Sequence, residues 1–264
     1  MDFEKKGKEI RASILKMIHD AKSGHTGGSL SCVEILMALY YDVLNIDPKN
    51  PNWDDRDRFI MSKGHSCPAL YAVLADLDFF SKNELETLRR IDSNLQGHPD
   101  FHKTKGIDMN TGSLGQGASI AFGMALAAKH KNKNYKVYAL LGDGECQEGI
   151  VWEASMAASQ YKLDNLTFIL DNNQLQIDGA VDDIISLGDI TKKFESFGFD
   201  IYDVDGHNVN EIIEVLKKKT NNKPKFVRCR TIKGKGVDFM ENNYKWHGKA
   251  PNDEELKKAL DCLF

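Results

Sequence analysis

No apolar run among the 264 residues approaches the length needed to cross a bilayer, about 20 residues. Cysteine is scarce and scattered. Cys32, Cys67, Cys146, Cys229 and Cys262 are odd in number and form no C-x-x-C pair. That spacing argues against a disulfide framework or a zinc site and fits a reducing, cytoplasmic setting. Neither charge sign dominates: 35 basic against 39 acidic residues leave a net charge of −4, with no basic stripe. Nucleic acid and anionic membranes are therefore not expected partners. The N-terminal segment lacks an apolar core followed by a cleavage site. It reads instead as an amphipathic helix with Ile10, Ile14, Leu15 and Ile18 on one side. There is no internal repeat, no low-complexity linker and no G-x-x-x-x-G-K-[ST] phosphate loop. The glycines of "TGSLGQGASIAFG" do not make a G-x-G-x-x-G turn, which leaves nicotinamide and flavin binding weakly supported.

What is present is ordered. The first part reads as mostly helical: residues 3–22, then "SCVEILMALYYDVL", "PALYAVLADLDF" and "SKNELETLRRI", with a short strand at "RFIMS". From Gly115 onward, strands alternate with helices. A helix rich in small residues precedes the strand "KVYALL". A helix over 148–162, the strand "LTFIL", a helix over 189–197, the strand "FDIYDVDG", the helix "NVNEIIEVLKKKT" and the strand "PKFVRCRTIKG" follow. This alternation predicts an α/β fold, a doubly wound parallel sheet with helices on both faces. In such sheets ligands bind beyond the carboxyl ends of the strands.

Two strands end in unusual chemistry. "YALLGDGE" stops at Asp143 between Gly142 and Gly144, and "LTFILDNNQ" stops at Asn173, about thirty positions later. Each alone also reads as an ordinary turn. Together, on neighbouring strands, they would bring a carboxylate and an amide oxygen to one place. Hard oxygens suit Mg²⁺ or Ca²⁺, and a magnesium site is commonly completed by phosphate oxygens. "TIKGKGV" reads equally as a phosphate-facing loop and as a flexible one. His25, His65, His98 and His247 each adjoin glycine in a loop, in "SGHTGG", "SKGHS", "QGHPD" and "KWHGKAP". A lone loop histidine is commonly inert; four in one setting suggest a titratable pocket. His19, His102 and His130 read as surface residues, and His207 in "DVDGHN" as structural.

Taken in order, "SGHTGGSLS", "DRFIMSKGHS", "GHPD", "TGSLGQG", "GDG", "NN" and "WHGKAP" resemble the thiamine-diphosphate-binding N-terminal part of the transketolase family, over about residues 5–255. The resemblance implies thiamine diphosphate as cofactor with Mg²⁺, or Ca²⁺ or Mn²⁺ in its place. It implies metal binding by Asp143, Asn173 and the Leu175 carbonyl, and diphosphate contacts from Gly144, His65 and His247. Gly112 and Leu114 would lie against the cofactor rings, with Ser113, Gly142 and Glu145 among the cofactor-binding positions. His25, His98, His247 and His65 would serve catalysis, binding sugar hydroxyls and moving protons. Glu148 and Glu153 would face the interface between paired sites. Thr26 and Ser113 depart from the family pattern, in which many members carry proline. The implied activity is transfer of a two-carbon ketol unit from a ketose phosphate to an aldose phosphate.

The family's aminopyrimidine-activating glutamate and sugar-phosphate-binding residues come from a second domain. The chain is thus expected to be one diphosphate-binding domain, residues 1–264, with the pyrimidine-binding and C-terminal domains on a separate partner chain, the two assembling as a heterotetramer. Two other readings stay open. One is a component of another thiamine-diphosphate enzyme, of the deoxyxylulose-phosphate synthase or 2-oxo acid dehydrogenase kind. The other is a paralogue without activity.

Overall fold

The i, i+4 spacing of Ile10, Ile14 and Ile18 places them on one side of α1 (Phe3–Ala21), where all three are buried. Asp2 caps this helix by accepting the Lys5 N–H at 3.1 Å. The structure is a computed structural model and describes residues 1–264.

The next predicted helix is broken. An unexpected short helix α2 (Thr26–Ser31) ends on the first residue of that stretch, and the rest divides into α3 (Val33–Ala38) and a π-helical turn over Leu39–Val43. Ser29 Oγ of α2 turns back on the backbone, donating to His25 O at 2.7 Å, and Ser31 Oγ donates across to the Asp171 carboxylate at 2.6 Å. Bonds of the first kind compete with continued helix. The strand β1 (Arg58–Met61) leads into α4 (Cys67–Asp76), whose first turn holds Pro68. "SKNELETLRRI" forms only a 3₁₀ segment, Lys82–Thr87, and the chain soon turns through Arg89 at φ 61°.

The alternating half follows the expected pattern. It comprises α5 (Gln116–His130), β2 (Val137–Gly142), α6 (Gly149–Gln160), β3 (Leu166–Asn172), α7 (Val181–Ile185), α8 (Ile190–Ser196), β4 (Asp200–Asp205), α9 (Val209–Lys217) and β5 (Lys225–Arg230). The short α7 and the terminal α10 (Asp253–Leu263) were not expected. A capping box starts α10, with Asn252 and Glu255 each accepting the other's backbone N–H.

The five strands are all parallel, in the order β1-β2-β3-β5-β4. Side chains alternate between two cores. Val137, Ala139 and Leu141 of β2 join Leu166, Phe168 and Leu170 of β3 under α5, α6 and α8. Tyr138, Leu140 and Ile169 face the other core, built by α1, α3, α4, α9 and α10. The sheet is therefore covered on both faces, as predicted. Because β4 lies at the far edge and β5 returns inside it, successive crossovers change face there. No helix is long and apolar enough to cross a membrane.

Candidate active site

Parallel pairing sets Gly142 of β2 beside Asp171 of β3, and Asn172 beside Arg230 of β5. The carboxyl ends of these strands and of β1 thus open onto one edge. A cavity of about 340 Å³ lies there. It is lined by residues following β1 (Lys63, His65), β2 (Asp143, Gly144, Glu145, Gln147, Glu148), β3 (Asn173, Leu175, Gln176, Ile177) and β5 (Lys233, His247). From the other segments come His25 and Gly28, then His98, Gly112 and Leu114. Distant parts of the chain meet in one place.

The backbone is shaped to allow this approach. Gly112 sits at φ 142°, and a Cβ there would meet His98 Cδ2 at 3.0 Å. Gln174 has the left-handed φ of 62°, costly for a side chain, and its N–H donates to the Asp143 carboxylate. Asp143 also accepts the Gly144 N–H at 2.9 Å. Burial, then the nearby Asp171, raise the Asp143 pKa to about 6. Asn173 is pinned at both ends of its amide: Nδ2 donates to Asp171 at 3.2 Å, and Oδ1 accepts the Leu175 N–H at 3.1 Å.

Two lysines stand at the floor. Lys63 Nζ donates to Gly28 O at 2.9 Å and to the Asp171 carboxylate. Lys233 Nζ donates to Leu175 O at 3.2 Å and lies 3.0 Å from His247 Nδ1. Burial and the Lys63 charge depress Lys233 to about 8. The sequence left Lys233 undecided inside "TIKGKGV" and did not single out Lys63 or Asp171. The signal available was their position beside the motifs "KGHS" and "DNN".

Three imidazoles form a triangle, with ring centres 5.0 Å (His25–His65), 5.2 Å (His65–His247) and 5.4 Å (His25–His247) apart. Burial and nearby cations hold them neutral. His25 falls to about 4, with Arg89 the leading charge after burial, and His247 to about 3, with Lys233 next after burial. His65 is also driven far down, by burial and then Lys63. His98 is lowered by burial and Arg89. Neutral imidazoles beside two ammonium groups can donate to, and accept from, the hydroxyls of a bound molecule while the floor attracts an anion.

The other predicted positions divide. Gly142, Gly144 and Leu114 line the cavity, whereas Ser113 is exposed and does not. Glu145 lines it, but its carboxylate accepts from Ser62 Oγ, Gly115 N at 2.8 Å and Gly142 N at 3.0 Å, bracing the turn. Glu148 is at the cavity mouth and Glu153 is exposed on α6. His207 is structural: Nδ1 is 2.9 Å from Glu34 and Nε2 accepts the Ile232 N–H at 2.9 Å.

The donor set fits a metal diphosphate. Asp143, the Asn173 amide and the Leu175 region present hard oxygens to one cavity, which phosphate oxygens would complete. His25 and Gln176 line the same cavity, and the buried His25 Nδ1 and Gln176 Nε2 have no protein partner. Such groups call for a polar ligand.

Known proteins agree with this geometry. The profile described as "Transketolase, thiamine diphosphate binding domain" matches residues 4–263. The chain is 42% identical over 260 residues to an apulose-4-phosphate transketolase subunit of Phocaeicola vulgatus, covering 98% of this chain and 92% of that one. It is 42% identical over 262 residues to the 6-deoxy-6-sulfo-D-fructose transketolase subunit of Clostridium sp. strain MSTE9, covering 98% and 95%. Transketolase of Homo sapiens is 41% identical over 244 residues, but these are 38% of its length. The crystal structure of transketolase from Campylobacter jejuni superposes with a TM-score of 0.93 at 34% identity, over 98% of this chain and 42% of that one. The chain thus spans nearly all of the two single-subunit relatives and about two fifths of the longer transketolases. It belongs to the transketolase family, as a thiamine-diphosphate-binding N-terminal subunit.

Proposed function

We propose that the chain forms the diphosphate half of a transketolase active site and works with a separate partner chain to move a two-carbon ketol unit from a ketose to an aldose. The observation that carries this is the juxtaposition of the three-histidine triangle with the Asp143, Asn173 and lysine floor. Thiamine diphosphate, when bound, supplies a thiazolium carbanion and an electron sink. The chain's own share is binding, orientation and proton movement. Asp143, Asn173 and the Leu175 carbonyl would hold Mg²⁺; Lys63, Lys233, His65 and the Gly144 N–H would hold the diphosphate. His25, His98 and His247 would bind sugar hydroxyls and carry protons at their ring nitrogens.

The domain is read as one diphosphate-binding unit, with the pyrimidine-binding and C-terminal domains on the partner. Ile177, Ile184 and Ile185 expose 64%, 41% and 60% of their surface, and Ile177 lines the cavity. An apolar rim at the mouth suits a covering partner chain. Self-association of the pair into a heterotetramer would use α5 and α6, where Gly123, Glu153 and Met156 are exposed. Relatives named for apulose 4-phosphate and for 6-deoxy-6-sulfo-D-fructose point to sugars bearing a phosphate or sulfonate. Five free thiols fit a cytoplasmic site of action.

The test is to co-express the chain with its pyrimidine-binding partner and assay ketol transfer with thiamine diphosphate and Mg²⁺ over phosphorylated and sulfonated ketoses. Transfer that disappears in Asp143→Ala, together with metal-dependent cofactor binding, supports the reading. Absence of transfer with every partner and sugar overturns it.

A further inference from the structure

Under the floor of the cavity lies a carboxylate that belongs to none of the residues lining it. Asp171, the next to last residue of β3, is fully buried, and the alternation of the strand turns it toward the α2–α3 side, with Ile169. A buried carboxylate is expensive unless it is fully bonded, and this one is. Ser31 Oγ of α2 donates to it at 2.6 Å, Asn173 Nδ2 at 3.2 Å, and Lys63 Nζ and Thr231 Oγ1 complete the set. Each donor belongs to a different wall of the cavity. Ser31 shares α2 with Gly28; Lys63 precedes the His65 turn; Asn173 begins the metal-facing loop; Thr231 opens the segment that delivers Lys233.

We infer that Asp171 is a positioning residue of the metal-diphosphate site: one buried carboxylate sets the orientation of the Asn173 amide and the placement of Lys63. This rests on the reading of the cavity as a metal-diphosphate site. The physical reason is directional. An ionised carboxylate only accepts, so the amide end facing it must be NH₂, and the Asn173 oxygen is left on the Leu175 side, toward the cavity. The same charge neutralises Lys63, which could not otherwise stay buried as an ammonium. Outer partners of metal ligands characteristically change metal affinity by about 10- to 100-fold.

The experiment compares Asp171→Asn with Thr231→Val in the assembled complex. Calorimetry follows thiamine diphosphate binding as Mg²⁺ is varied, and thermal unfolding is measured on the same samples. Thr231→Val removes one donor without touching Asn173 or Lys63. Asp171→Asn should raise the Mg²⁺ needed for half-maximal binding at least about tenfold, and Thr231→Val should leave it within about twofold even where both lower the melting temperature. Equal shifts in the two variants, or none in Asp171→Asn, overturn the inference. Failure of the unmutated complex to bind the cofactor with Mg²⁺ would instead overturn the underlying reading. Where Asp171→Asn does not fold, the unmutated chain decides. Its Asn173 side-chain NH₂ resonance, assigned by its loss in Asn173→Asp, should be strongly protected from hydrogen exchange, and rapid exchange overturns the inference.

Discussion

At the scale of the residue, Lys233 and His98 serve the same cavity through different physics. Lys233 is almost fully buried at 2% exposure, and its ammonium points at the Leu175 carbonyl and His247. Its work is electrostatic. Lys233→Met keeps the packed stem and removes the charge, and a charge-assisted hydrogen bond contributes about 1.5–3 kcal/mol. Thiamine diphosphate should therefore bind about 10- to 100-fold more weakly, as read by calorimetry. His98 packs against Gly112, and the cation that acts on it is Arg89. His98→Ala should lower turnover while cofactor affinity stays near that of the unmutated complex; an equal loss of both would remove it from substrate handling.

Elements carry their own predictions. The short helix α8 would be unstable alone, and it is held by aromatic packing. Phe194 stacks on Phe226 of β5 with ring centres 3.8 Å apart and meets Phe199 edge-on at 5.3 Å. Phe194→Ala should cost about 3–5 kcal/mol, measured as a lower urea midpoint with an unchanged slope. Periodicity in the sequence located α8 but could not show that three aromatic residues from different elements converge there. The same limit explains α2. Apolar spacing runs through "SCVEILMALYY", whereas the break at its start accompanies the Ser29 and Ser31 hydroxyls finding partners in the fold. The terminal α10 had a local signal, Asn252 and Glu255 at capping-box spacing, which lies beyond the last of the site motifs.

For the molecule as a whole, Glu34 joins parts distant in sequence. Arg11 of α1 grips it with two bonds of 2.7 Å, and His207, after β4, lies 2.9 Å away. Burial opposes its ionisation, but Arg11 and then His207 prevail and lower its pKa to about 2 from the ordinary 4.5. The folded state thus holds the ionised form more strongly than the unfolded chain does. Its stabilising contribution is complete above pH 4.5 and is lost as pH falls through about 2, on the order of 3 kcal/mol. Urea unfolding across this range should show a steep acid limb that flattens in Glu34→Gln.

The sequence by itself determined the sheet's alternation, the carboxyl-edge location of Asp143 and Asn173, and the glycine-flanked histidines, because these depend on spacing along the chain. Tertiary structure decided which of them meet. Only the strand order brings β1, β2, β3 and β5 together, closes His25, His65 and His247 into a triangle, and sets Lys63 and Lys233 beneath it. Asp171 was visible as one letter of "DNN". Its role could not be read there, because its partners at positions 31, 63 and 231 are distant in sequence and become neighbours only when the parallel sheet forms.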